Sequence, residues 1–196
     1  MTAPERYTYP DSWGVLRNRR GIRGAQRLDE AMNEFVSLAI AGLVREGPPE
    51  VPDFAYLCSI HRRMLGELFD FAGELRTVGA KATGTAVTYC PPDQIRDRLE
   101  RLFAELAEED HLRGLGSEDF AEALALRWGD LSDIHPFHDG NTRSQSVFVT
   151  MLAWRAGYQL RWEDVDVDSL RRCRLRAITG DCTSLRVFLA SHLEPL

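Results

Sequence analysis

Apolar residues recur at three- and four-residue steps along most of the chain, the spacing of helices that bury one face. Leu28, Met32, Phe35, Val36, Ala39, Ile40 and Leu43 share the first such face, and Gly47-Pro48-Pro49 stops that helix. Asp53 is placed to cap a second helix, which carries Phe54, Leu57, Ile60, Met64, Leu65 and Leu68. Between Arg76 and Tyr89 the pattern changes to Gly, Thr and β-branched residues, and a short β-hairpin fits better than a helix. Pro91-Pro92-Asp93 opens the next helix, with Ile95, Leu99, Leu102, Phe103 and Leu106 inward. Ser117-Glu118 starts another, carrying Phe120, Leu124 and Trp128. An apolar run follows over Val147–Ala156, and helical segments near Asp166–Ile178 and Cys182–His192 close the chain. Tyr7 to Gly21 has no helical period and reads as an arm laid over the domain, so residues 1–22 are assigned to it. The expectation is an all-α fold, a helical bundle with one hairpin, in a single domain over residues 1–196.

Composition narrows the function classes. Hydrophobic residues make up 44% and charged residues 28%, ordinary for a globular domain. A net charge of −6 disfavours a general nucleic-acid or anionic-membrane binder. No window reaches transmembrane length, and the first residues lack the apolar core of a secretory signal. Cys58, Cys90, Cys173 and Cys182 show no CxxC spacing, which points to free thiols in a reducing, cytoplasmic setting. Arg171, Arg172, Arg174 and Arg176 form a basic run that reads as a solvated helix face. Trp128, Trp154 and Trp162 read as core or rim.

The chemistry concentrates in His135-Pro136-Phe137-His138-Asp139-Gly140-Asn141-Thr142-Arg143-Ser144-Gln145. Pro136 disfavours helical backbone at His135 and ends the preceding helix. Gly140 permits a left-handed turn, and the chain re-enters a helix near Asn141 or Thr142. Free amides at that helix start face an anion, and the macrodipole adds to their attraction. Asp139 beside them repels phosphate unless a divalent cation such as Mg²⁺ intervenes. Arg143, within the first turn, balances charge on a leaving polyphosphate. His135 can accept a proton at neutral pH, Phe137 anchors the loop, and His138 faces solvent or substrate. Taken singly, an Asp-Gly pair is ordinarily a turn and a His before Pro a loop residue; the density and order of the set point to nucleotide chemistry. A metal-dependent phosphohydrolase built on His135, His138 and Asp139 would need further ligands, for which His61, Asp130 and Asp133 are the candidates. His61 alone reads as a satisfied, half-buried residue.

This segment resembles the signature of Fic-domain proteins, a match carried by His135, Pro136, Phe137, Asp139, Gly140, Asn141 and Arg143. The likeness extends to Tyr9-Pro10 and Val15-Leu16-Arg17-Asn18 in the arm, to Gly73-Glu74-Leu75-Arg76-Thr77, Lys81 and Pro91-Pro92, and to Gly157-Tyr158. The resemblance implies an adenylyltransferase that moves AMP from ATP to a Tyr, Ser or Thr hydroxyl of a target protein. His135 would deprotonate the hydroxyl and Asp139 would hold Mg²⁺. Gly140, Asn141, Thr142 and Arg143 would bind the nucleotide, with Asn141 and the helix-start amides cradling phosphate oxygens. A flap over residues 77–89, with Lys81, Thr83, Gly84 and Thr85, would pair with the target as an added strand.

Two positions depart from the family pattern. Thr142 stands where Gly or Lys is usual, and Ser146 replaces a second Arg that grips the terminal phosphate. Another donor, a phosphotransferase pose of ATP, or a Fic-fold binding module are the alternatives these departures raise. Many members carry an inhibitory Ser/Thr-x-x-x-Glu-Gly/Asn helix. Here the one Glu followed by Gly or Asn is Glu46-Gly47, with Gly42 at the hydroxyl position. The resemblance therefore implies a toxin-like member held by a separate small antitoxin.

Overall fold

A computed structural model describes residues 7–12 and 14–196. Seven α-helices lie among them: α1 (Ala25–Glu46), α2 (Phe54–Leu65), α3 (Ile95–Glu108), α4 (Ser117–Ile134), α5 (Asn141–Arg155), α6 (Val167–Ile178) and α7 (Thr183–His192). The helical segments expected from periodicity are all present, and their starts follow local chemistry. The Asp53 carboxylate accepts from the Tyr56 amide at 2.7 Å, and Asp166 does the same for Asp168 at 3.1 Å. A short 3₁₀ turn, Pro92–Gln94, leads into α3.

The core forms where α4 and α5 lie at the centre. α4 packs on α6 and α7 on one side and on α3 on the other, while α5 packs on α2. Trp128, Phe120, Phe137 and Phe148 are among the largest fully buried side chains. The Phe148 ring meets Phe103 edge-on at 5.5 Å and Tyr56 at 6.4 Å, so one α5 side chain ties α2 and α3 together. The core thereby fixes the α4–α5 junction, where the motif lies.

The β content differs from expectation. The segment expected as a hairpin holds a single bridge, Lys81 to Thr88, with Ala82 N–H donating to Val87 O at 2.9 Å and Tyr89 N–H to Ala80 O at 3.1 Å. It has no neighbouring strand to extend it, and Gly84 at φ +74° tightens its tip. The two-stranded antiparallel sheet lies elsewhere, pairing β1 (Tyr158–Leu160) with β2 (Leu193–Pro195). Residues 7–12 and 14–22 fold back on themselves through Tyr9 N–H to Val15 O at 2.9 Å and reach the body through Arg19 N–H to Leu68 O at 2.8 Å; the expected arm's first six residues and Trp13 lie outside the described residues. No helix is long and apolar enough to cross a membrane among the described residues.

Truncating Phe148 to Ala removes the shared wedge between α2, α3 and α5. A destabilisation of about 3–5 kcal/mol is expected, read as a shift in the urea unfolding midpoint with an unchanged slope.

Candidate active site

α4 ends because His135 adopts left-handed backbone, φ 45° and ψ 62°. The chain turns through Pro136–Gly140 and enters α5, with Gly140 at φ 75° as the cap residue. A Cβ at Gly140 would lie 2.5 Å from Leu65 Cδ1 and 3.2 Å from His61 Nε2, so both conformation and space demand glycine. The first bond inside α5 is Ser144 N–H to Gly140 O at 3.0 Å. The amides of Asn141, Thr142 and Arg143 precede it, and no side chain caps them. These three donors form the anion-facing end of the site.

Asn141 is placed differently from its expected role. Its side chain is buried; Nδ2 donates to Phe137 O at 2.7 Å and Oδ1 accepts from Phe137 N–H at 2.8 Å. Both ends of the amide brace the loop, and what Asn141 offers an anion is its main-chain N–H. Asp139, half-buried beside the helix start, accepts from the Gly140 amide at 2.5 Å. Thr142 is exposed, and Arg143 reaches across to α1, donating to Asn33 Oδ1 at 3.2 Å. His138 is half-buried between Tyr7 and Phe71, stacked on the Tyr7 ring at 3.8 Å, rather than facing solvent. Lys81, Thr83, Gly84 and Thr85 are exposed on the flap, whose Thr83 carbonyl accepts from Arg171.

Four residues outside the motif complete the site. His61, fully buried, accepts the Gly73 amide at Nδ1 (2.7 Å), which leaves Nε2 to donate to Asp139 O at 2.8 Å. Its ring stacks on Phe137 at 3.9 Å. Burial pushes its pKa down to about 4, against the opposing hydrogen bond to the Asp139 backbone. The phosphohydrolase alternative loses His61 here, and Asp133 is paired to Arg98 at 2.5 Å; no cluster of three metal-ligating side chains exists among the described residues.

Arg76 is the second, buried beneath the flap. Its guanidinium donates to His135 O at 2.7 Å, Val78 O at 2.8 Å, Cys90 O at 2.5 Å and Ile134 O at 3.1 Å. Tyr89, the third, stacks flat on the His135 ring at 3.7 Å and 4°. The fourth is Arg174, read from sequence as part of a solvated face yet only 6% exposed. Its period could have shown this, because Leu170, Arg174 and Ala177 form one buried stripe while Arg171, Arg172 and Arg176 stay exposed. It donates from Nε to Ser132 Oγ at 3.1 Å and from Nη2 to Gln145 Oε1 at 2.5 Å.

These neighbours set the charge of His135. Burial, then Arg174 and Arg76, push its pKa down to about 3, and the Ser132 backbone opposes them to a smaller extent. The imidazole is therefore neutral throughout the physiological range and holds a lone pair for a proton. Two cavities open on the helix start. One, about 510 Å³, lies between α1 and α5 and is lined by Thr142, Arg143 and Ser146 with apolar side chains. The other, about 260 Å³, lies against α6 and is lined by Tyr89, Ser132, Thr142 and Arg174.

Comparison with known proteins gives a consistent family. The model of the Fic/DOC family matches residues 52–153. The chain is 36% identical over 188 residues to a Salmonella typhimurium protein named probable protein adenylyltransferase Fic, covering 96% of this chain and 92% of that one. It superposes on the N-terminal FIC domain of Bep8, a VirB-translocated effector of Bartonella sp. 1-1C, with a TM-score of 0.92, 25% identity and 97% and 95% coverage. BepC of Bartonella tribocorum, solved with bound AMPPNP, shares the fold at a TM-score of 0.91 and 24% identity over the whole of both chains.

The two most deeply depressed histidines, His61 and His135, make stability depend on pH. The unfolded chain binds protons at both near pH 6.5, while the folded chain refuses them until about 4 at His61 and about 3 at His135. Stability is therefore full above pH 6.5 and falls as pH drops from 6.5 towards 4, His61 alone accounting for about 3 kcal/mol. Unfolding midpoints measured from pH 7.5 to 4 should show that decline, and a flat profile would contradict it.

Proposed function

The chain belongs to the Fic/DOC family, and from that membership we propose that it is a protein adenylyltransferase, moving AMP from ATP to a hydroxyl side chain of a target protein. The observation that carries the reading is the meeting of a neutral, half-buried His135 with three uncapped α5 amides and the Asp139 carboxylate at one loop. A relative 36% identical over 92% of its own length is named probable protein adenylyltransferase Fic.

In this reading the target hydroxyl gives its proton to His135 and its oxygen attacks the α-phosphorus. The bond to the β-phosphate oxygen breaks and pyrophosphate leaves. The amides of Asn141, Thr142 and Arg143 hold phosphate oxygens, where charge develops. Arg143 takes the leaving phosphates, because its guanidinium lines the cavity that also holds Ser146. Tyr89 stacked on one face of His135 and the Arg76 bond to its carbonyl hold the imidazole in one orientation. Asp139 fits Mg²⁺, which binds through one or two carboxylates plus substrate phosphates and here would neutralise phosphate charge. The exposed flap residues Lys81, Thr83, Gly84 and Thr85 place the target by strand addition. A separate antitoxin and a cytoplasmic setting belong to the same reading. In its support, Glu46 is engaged by Arg63 in a two-pronged ion pair at 2.5 and 2.6 Å, at the far end of α1 from Asp29 and Asn33, which meet Arg143.

Incubation with α-labelled or γ-labelled ATP in a cell lysate tests the proposal. Label should pass to protein from the α position only, and His135→Ala should reduce it by about 10²–10⁴-fold. Transfer from the γ position would instead identify a phosphotransferase. No transfer by wild type, matching His135→Ala, would overturn the enzymatic reading.

A further inference from the structure

Ser146 leaves Arg143 as the one guanidinium lining the cavity between α1 and α5. A buried guanidinium, Arg174, lines the neighbouring cavity, and Thr142, Val167 and Leu170 line both. We infer that the α6-side cavity is a phosphate subsite of this active site, with Arg174 as its charged floor, so that a nucleotide's phosphates lie across the α5 amides between two guanidinium groups.

The chemistry of Arg174 supports this. At 6% exposure its charge has no carboxylate partner among the described residues. Its hydrogen bonds go to neutral acceptors, Ser132 Oγ and Gln145 Oε1, and Nη1 makes none. The Trp128 ring face lies 5.5 Å beneath the guanidinium. A buried cation with neutral partners and a free N–H edge on a cavity matches an anion. Gln145 is itself held by donating to Leu131 O at 3.0 Å, so the guanidinium sits in a fixed frame. The remaining walls are the exposed Arg171, which adds positive charge at the rim, and the apolar Val167, Leu170, Leu175 and Ile178, which suit the nucleoside attached to that phosphate. Arg174 is thus a binding residue contributed by α6, set in the cavity next to the one that Arg143 lines.

The inference rests on the adenylyltransferase reading only in naming a nucleotide as the ligand. It is tested by calorimetric binding of AMP and of inorganic phosphate to the full chain, without any transfer assay. Arg174→Met should weaken AMP about tenfold to a hundredfold, while Arg174→Lys, which keeps the charge, should lose less than Met. Should the Met variant fold poorly, wild-type protein suffices: the Arg174 Nε–H NMR signal should shift on AMP titration. Inorganic phosphate competing with AMP places the affinity in the phosphate itself. Unchanged AMP affinity in a folded Met variant, or an Arg174 signal unmoved at saturating AMP, would overturn the subsite. AMP binding that depends on Arg174 without any label transfer to protein would support the subsite and count against the adenylyltransferase reading alone.

Discussion

Arg76 is the constraint on which the site depends. Its guanidinium joins three pieces of chain that have little else in common: the two ends of the flap at Val78 and Cys90, and the last carbonyls of α4 at Ile134 and His135. Its own amide also donates to Pro136 O at 2.9 Å. Helix C-terminal carbonyls lack intrahelical donors, and a cation placed there satisfies them and complements the dipole. Removing the guanidinium would leave four carbonyls without their donor, each costing about 1–3 kcal/mol where buried. Burial lowers the Arg76 pKa, yet no protonation change follows near neutrality because guanidinium stays charged.

A second clamp works from the other side of the loop. His61 bridges the Gly73 amide and the Asp139 carbonyl, and Asn141 closes the loop onto Phe137. Gly140 lies so close to Leu65 and His61 that the turn has one way to pass. The motif is thus rigid before any ligand arrives, which is what preorganised donors require. Electrostatics follow from the same packing: in a chain of net charge −6, His135 sits near two buried guanidinium groups. An acidic protein thereby keeps a locally cationic site for an anionic nucleotide.

Much of this was legible in the sequence because it depends on local rules. Helical periodicity located the seven α-helices α1 to α7, Asp53 announced its cap, and the Pro136 and Gly140 positions defined the turn between α4 and α5. What was not legible depends on tertiary partners. Whether Arg76–Tyr89 forms a ladder depends on a neighbouring strand that only the fold can supply, and the β1–β2 pair joins segments more than thirty residues apart. Asn141 reads as a phosphate ligand until Phe137 is seen to occupy both ends of its amide. His61 and Arg76 act through backbone partners that leave no pattern in sequence. Arg174 was recoverable, since Leu170 and Ala177 share its stripe, but four arginines in six residues masked the one that turns inward.

A crystal structure of the protein with AMPPNP and Mg²⁺ is the most direct measurement. The phosphates should lie on the amides of Asn141, Thr142 and Arg143, the α-phosphorus within reach of a hydroxyl oxygen bonded to His135, and Arg143 and Arg174 on opposite sides. A nucleotide bound away from the start of α5, with His135 remote from the α-phosphorus, would contradict the whole assignment.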